Sequence, residues 1–366
     1  MAHDRRRSLE AALRVAGLAL AVGTLAWTFR DTDPSKVGKL LVNLGGAGLL
    51  VLLPQPCALL VESAGWRLAF QGMGQKLPLL GLFRARLASE ALAQTLPMGV
   101  VLSESLKPAL LKRTCGADLA TSLAGMAARK WLLVTAQSIY VVGFAVLAFP
   151  TLARISLSVL GVPGLPYLLL AAALFLLLLA FLLFSLLSRG QLAARSFELL
   201  LRLPFLDRQL RARREKFSQA DVRLRLLFGN AGALALPLPA FLCSWLLEAA
   251  ESALILHLLG VQLPWTTVGA LEVAASFLRN VACLVPAGLG VQDLSYLAFL
   301  RALAVPDALP IAAAFLLLKR AKECFWALVG YAVLAVDLRP ATAGSGNREL
   351  TVVEPDRRVL LPAPGN

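Results

Sequence analysis

Val285-Pro286-Ala287-Gly288-Leu289-Gly290-Val291-Gln292-Asp293 breaks an apolar stretch with a proline, two glycines and an acid. A break of the same kind, Leu96-Pro97-Met98-Gly99-Val100-Val101 followed by Glu104, stands 189 residues earlier. The offset holds without a gap well beyond these stretches. Glu62-Ser63-Ala64, Pro97, Gly99, Glu104, Lys112, Asp118 and Lys130 return as Glu251-Ser252-Ala253, Pro286, Gly288, Asp293, Arg301, Asp307 and Lys319. In a chain rich in Ala and Leu, aligned apolar residues mean little, whereas aligned Pro, Gly and charges mean more. Interrupted hydrophobic segments at matching places in two halves point to a transporter-type core with its binding site between the repeats.

The composition fits a membrane. The chain has 366 residues, 58% of them hydrophobic, and a mean hydropathy of +0.73. Soluble domains sit near ~45–50% apolar. Trp131 to Leu152 and Leu168 to Leu187 carry no charge, and ~20 apolar helical residues cross the hydrocarbon core. The runs do not alternate as β-barrel strands would. The fold class is therefore an all-α polytopic membrane protein. A net charge of +14 reads as positive-inside loops meeting anionic headgroups. No zinc spacing, RNP motif or basic aromatic helix supports nucleic-acid binding. The five cysteines are scattered packing residues and the two histidines, His3 and His257, lie far apart, so no metal site is expected. The chain has no G-x-x-x-x-G-K-[ST], H-E-x-x-H or G-x-S-x-G motif, and neither a cofactor nor an enzymatic activity is expected.

Six full spans are predicted, at about 9–29, 39–62, 119–149, 166–188, 231–258 and 309–336. Pro54 and Pro56 should kink the second, and Pro237 and Pro239 the fifth. The segments at about 80–112 and 267–303 each offer some ten apolar residues before Pro97 or Pro286. That length is half a bilayer, so each reads as a re-entrant hairpin turning at Pro97-x-Gly99 or at Pro286, Gly288 and Gly290. Ten Lys/Arg against four Asp/Glu at 189–225 place that stretch in the cytoplasm, with both chain termini. Three crossings then separate equivalent points, so the second copy is inverted. Residues 1–338 form one transmembrane domain, with repeat 1 at about 39–149, repeat 2 at about 231–336 and a basic cytoplasmic loop at 189–228. Residues 339–366 read as a disordered cytoplasmic tail.

Charges at membrane depth are costly and mark function. Arg84, Arg86, Lys107, Arg129, Lys130, Arg279, Lys319 and Arg320 are the candidates to bind a lipid headgroup, since Arg and Lys both meet phosphate. Half-helix N-termini would add to this positive field. Glu90, Glu104, Glu251 and Asp293 are candidate cavity carboxylates, placed to hold those cations or to couple transport to protons. The alternative is that these charges pair with one another and lock the hairpins.

Leu96-Pro97 through Glu104, the Val285 to Asp293 stretch and Leu316-Leu317-Leu318-Lys319-Arg320 resemble the flippase-like superfamily. This is the transmembrane part of lysylphosphatidylglycerol synthases and its stand-alone relatives. Trp66-Arg67, Arg84-Ala85-Arg86 and Thr135-Ala136-Gln137 are most similar to hopanoid-biosynthesis-associated members. Two departures stand out: Pro97-Met98-Gly99-Val100-Val101 degrades the family's first glycine-rich element, and Asp293 replaces its usual Glu. The resemblance implies a lipid flippase or transporter. It would move a phospholipid, hopanoid or polyprenoid-linked lipid across the bacterial inner membrane through a positively charged central cavity. A membrane-embedded lipid-modifying enzyme is the alternative, as is a scaffold that docks lipid-biosynthesis enzymes on the basic loop.

Overall fold

The computed structural model describes residues 30, 32–96, 99–189, 214–281 and 291–338. The expected span at 9–29, the turn residues Pro97, Pro286, Gly288 and Gly290, loop residues 190–213 and the tail 339–366 lie outside the described residues. Among the described residues every regular element is a helix.

Helix α1 (Pro34–Leu44) opens on Asp33, whose carboxylate caps Ser35 N–H at 2.9 Å. A 3-10 stretch (Gly45–Leu52) joins it to α2 (Pro54–Gly72). Pro54 and Pro237 stand at breaks within the apolar stretches Pro34–Gly72 and Gly232–Leu258. Pro54 opens α2, and Pro237 separates the short α9 (Ala231–Ala235) from α10 (Leu238–Leu258). A proline at the first helical position gives up an N–H that has no partner there in any case. Four stretches are long and apolar enough to cross a membrane: Pro34–Gly72, Leu119–Leu147 (α5), Leu165–Ser188 (α7) and Gly232–Leu258. The expected sixth span is one helix, α13 (Ala308–Leu338), but Lys319, Arg320, Lys322 and Glu323 crowd its middle, and it is not among those four.

The broken segments are helix pairs. α3 (Leu79–Thr95) packs on α4 (Gly99–Cys115), and α11 (Trp265–Val281) on α12 (Val291–Ala302). α3 and α11 each have 17 residues, reaching ~25 Å at 1.5 Å per residue. They exceed the ten-residue halves expected because each helix begins upstream of its apolar run. One pair of helix starts follows the 189-residue offset: α5 begins at Leu119 and α13 at Ala308. Between the spans expected at 119–149 and 166–188 lies a further helix, α6 (Phe149–Leu160). Its buried Leu152, Ile155 and Ser156 recur at helical spacing.

Polar contacts also tie both ends of α13 to its neighbours. Near its C-terminus Arg84 pairs with Asp337, and Arg113 donates to the Asp337 carbonyl at 2.9 Å. Arg223 of α8 (Arg214–Phe228) bonds Asp118, the cap of α5, at 2.8 Å. Hydrogen bonds from Arg223 and Thr121 hold the Asp118 carboxyl well below the usual carboxylate range. At the start of α13, Lys36 pairs with Asp307 at 3.1 Å.

Small residues let the helices approach closely. α2 lies along α10, and α5 touches α2 where Gly125 faces Phe70. A Cβ on Gly125 would stand 2.1 Å from Phe70 Cζ. Phe70 is fully buried, so the ring cannot swing away. Gly125→Ala should therefore lower stability by ~1–3 kcal/mol, the usual cost of overpacking. Adding Phe70→Leu should return most of it in thermal unfolding of the solubilised protein. A single variant as stable as the parent would show that the contact relaxes freely.

Candidate functional site

α2 and α10 run together through the centre, and α3, α11 and α13 close around them. Between these helices lies a cavity of ≈ 180 Å³. Its wall carries four cations, Arg86, Arg279, Lys319 and Lys322, and six carboxylates, Glu62, Glu90, Glu248, Glu251, Glu272 and Glu323. Gln55, Gln94, Gln292 and Ser244 add neutral polar groups, and Leu59, Leu133 and Trp245 add apolar surface. The expected surplus of positive charge in the cavity is thus corrected to a surplus of carboxylates. Much of the chain's excess Lys/Arg falls outside this wall, as at Arg84, Arg113, Lys130 and Arg223.

Most of these charges are taken up by one another. Glu62 of α2 serves two guanidiniums: Arg86 Nε at 3.2 Å from α3 and Arg129 Nε at 2.6 Å from α5. Arg86 also pairs with Glu90, one turn along α3, whose other oxygen accepts from Gln94 at 2.9 Å. Arg129 lies over the Trp66 ring at 5.7 Å, and Trp66 Nε1 donates to the Gly125 carbonyl at 2.7 Å. In the second half, Glu251, the counterpart of Glu62, is held by Lys322 through both oxygens at 2.7 and 2.8 Å.

Glu272 Oε1 is the acceptor of a further cluster. It takes bonds from Ser252 Oγ, from Tyr296 O–H at 2.9 Å and from Lys319 Nζ at 3.0 Å. Lys319 also sits 4.8 Å above the Tyr296 ring and 5.3 Å above the Phe315 ring. Arg320 bridges Asp293 and Glu323, each at 2.6 Å.

One pair differs. Glu248 of α10 faces Arg279 of α11 at 3.9 Å, and their side chains keep 47% and 35% of their exposure. A partly exposed ion pair of that length contributes ~0–1 kcal/mol. Breaking a buried pair such as Glu251–Lys322 costs ~3–5 kcal/mol, because a charge is left buried without its partner. An incoming group can therefore displace Glu248 from Arg279 far more easily than it can part the others. Beside this pair stands Trp245, one turn before Glu248 and only 8% exposed. Its Nε1–H has no hydrogen-bond partner among the described residues. Nor does the hydroxyl of buried Tyr140, whose ring stacks on Trp245 at 6.0 Å.

Of the eight cations expected to bind a headgroup, three line the cavity: Arg86, Arg279 and Lys319. Arg129 stands behind Glu62, and Arg320, itself outside the wall, is bound to Asp293 and to Glu323 of the wall. Lys107 is buried on Glu104 at 2.5 Å. Arg84 lies at the end of α13, and Lys130 is exposed and not part of the wall. Of the four expected carboxylates, Glu90 and Glu251 line the cavity, and Glu104 and Asp293 do not. Each of the four is engaged by a cation: Arg86, Lys107, Lys322 and Arg320. Gly99, the one expected turn residue described, opens α4. A Cβ there would meet the Leu92 carbonyl at 2.3 Å, so the chain re-enters close against α3. The wall also contains Glu62, Glu248, Glu272, Lys322, Glu323 and Trp245, which sequence reasoning left out of its binding set. The five charged ones shared the signal of the others, charge within apolar helices, whereas nothing in the sequence distinguishes Trp245 from a packing residue.

The family model described as the lysylphosphatidylglycerol synthase TM region matches residues 14–321. No curated protein and no solved structure matches the chain.

Proposed function

Because the chain belongs to the lysylphosphatidylglycerol synthase TM region family, we propose that it moves a polar-headed lipid across the bacterial inner membrane. The observation that carries this reading is a charged cavity enclosed by apolar helices where the two halves meet. The central helices α2 and α10 bring Glu62 and Glu251, equivalent under the 189-residue offset, to the same cavity. Such a site can take a headgroup while the acyl chains stay in lipid. The two broken helix pairs act as re-entrant hairpins of an inverted repeat, exposing the cavity to one side and then the other. Arg84 and Arg113 meet at the C-terminal end of α13, and the positive-inside tendency supports a cytoplasmic position for that end.

The size of the cavity narrows the cargo. Sites for drug-sized ligands measure ~300–1,000 Å³, and ≈ 180 Å³ suits one small headgroup rather than an oligosaccharide.

Purified protein in liposomes containing acyl-labelled phospholipid tests this. Label reaching the outer leaflet is bleached by an impermeant reductant. The parent should exceed protein-free vesicles clearly. Ala58→Trp, which fills the cavity from α2, should remove ~90% of that excess, about 1.4 kcal/mol at the barrier. A parent no faster than empty vesicles, with lipid product chemically altered instead, would make this an enzyme.

A further inference from the structure

We infer that Glu248 and Arg279 form a headgroup subsite for a zwitterionic lipid, with Arg279 taking the phosphate and Glu248 the ammonium. This deepens the transport reading above and rests on it for the cavity's purpose. The two side chains stand 3.9 Å apart, both open to the cavity, on neighbouring helices α10 and α11. That spacing is too long for a hydrogen bond. A headgroup that carries its own anion and cation a short chain apart can satisfy both residues by lying across them. The other charges of the wall do not offer this. Lys319, Lys322 and Arg86 are each held at hydrogen-bond distance by protein carboxylates.

The second observation is Trp245. It is buried, lines the same stretch of wall one turn from Glu248, and has an Nε1–H without a partner among the described residues. Residues three apart on a helix share a face. An indole N–H can only donate, so it calls for an oxygen from the ligand. A phosphate on Arg279 brings several. A purely anionic headgroup would meet Arg279 and Trp245 but would put its charge beside Glu248, with Glu251 and Glu272 on the same wall. A purely cationic one would leave Arg279 and Trp245 unanswered. The amine-bearing phosphodiester answers all three.

The full chain in detergent is titrated with short-chain phosphatidylethanolamine and short-chain phosphatidylglycerol, read by tryptophan fluorescence and thermal shift. The parent should bind the ethanolamine lipid ~10-fold more tightly, the size of one charge-assisted hydrogen bond. Glu248→Gln should bring that ratio close to one, whereas Glu248→Asp should keep its direction. Arg279→Gln should weaken both lipids. Trp245→Phe, which keeps the stack on Tyr140, should weaken both by a few-fold and leave their ratio alone. Equal binding of the two lipids by the parent would overturn the subsite, as would a preference that survives Glu248→Gln. If preference is found as expected but no labelled lipid crosses the liposome membrane, the transport reading fails and the subsite stands.

Discussion

Glu62→Gln should destabilise the protein by ~3–5 kcal/mol, the cost of stripping a buried ion pair of one partner. Glu62 is 4% exposed and is the carboxylate on which α3 and α5 both converge, through Arg86 and Arg129. The loss falls mainly on Arg129. Arg86 still has Glu90, whereas Arg129 would keep the Trp66 face at 5.7 Å. Replacing both partners by apolar groups of similar shape leaves no orphaned charge. The double variant Glu62→Leu with Arg129→Met should accordingly recover much of the loss. Thermal and denaturant unfolding of the solubilised protein measures both. A Glu62→Gln protein as stable as the parent would mean that Arg129 reaches water, contrary to its burial.

Glu272→Gln should be nearly as damaging, and the reason is countable. One oxygen accepts from Ser252, Tyr296 and Lys319, tying α10, α12 and α13 to α11. The neutral amide keeps the shape but leaves the buried Lys319 ammonium unbalanced, again ~3–5 kcal/mol. Tyr296→Phe removes the hydroxyl that donates to Glu272 and accepts from Lys319 and Gln292, but it keeps the ring under Lys319 and leaves the Glu272–Lys319 charge pair intact, so it should cost less, ~1–3 kcal/mol. The ordering of the two variants is the test. If Tyr296→Phe proves the more harmful, the cluster is held together by the hydroxyl rather than by the carboxylate.

The helices and their spacing could be read from the sequence because they depend on local pattern. The 189-residue offset anticipated where α5 and α13 start, and apolar length anticipated α7. Helix α6 escaped the search for spans because its 12 residues are too few to cross the hydrocarbon core. The pairing of charges was out of reach for a different reason. Glu62 meets Arg129 across 67 residues and Lys322 meets Glu251 across 71, so only the packed helices decide which side chains meet. The sign of the cavity was misjudged on the same ground. A net charge of +14 describes the whole chain, and the wall of one cavity draws on a small part of it. Glu248 was recognisable as a charge at depth, but only geometry distinguishes its loose partner from the close partners of its neighbours.

The pairing has an electrical consequence. A charge crossing the bilayer works against the membrane potential, at ~2.3 kcal/mol for each 100 mV. Lys322 with Glu251 and Lys319 with Glu272 shift as units whenever their helices shift, and such a unit carries no net charge through the field. A zwitterionic headgroup lying across Arg279 and Glu248 is neutral as well. Under the transport proposal its passage would be electrically silent, so that the resting voltage of the cell would neither drive nor oppose it and the lipid would distribute according to its concentration in the two leaflets.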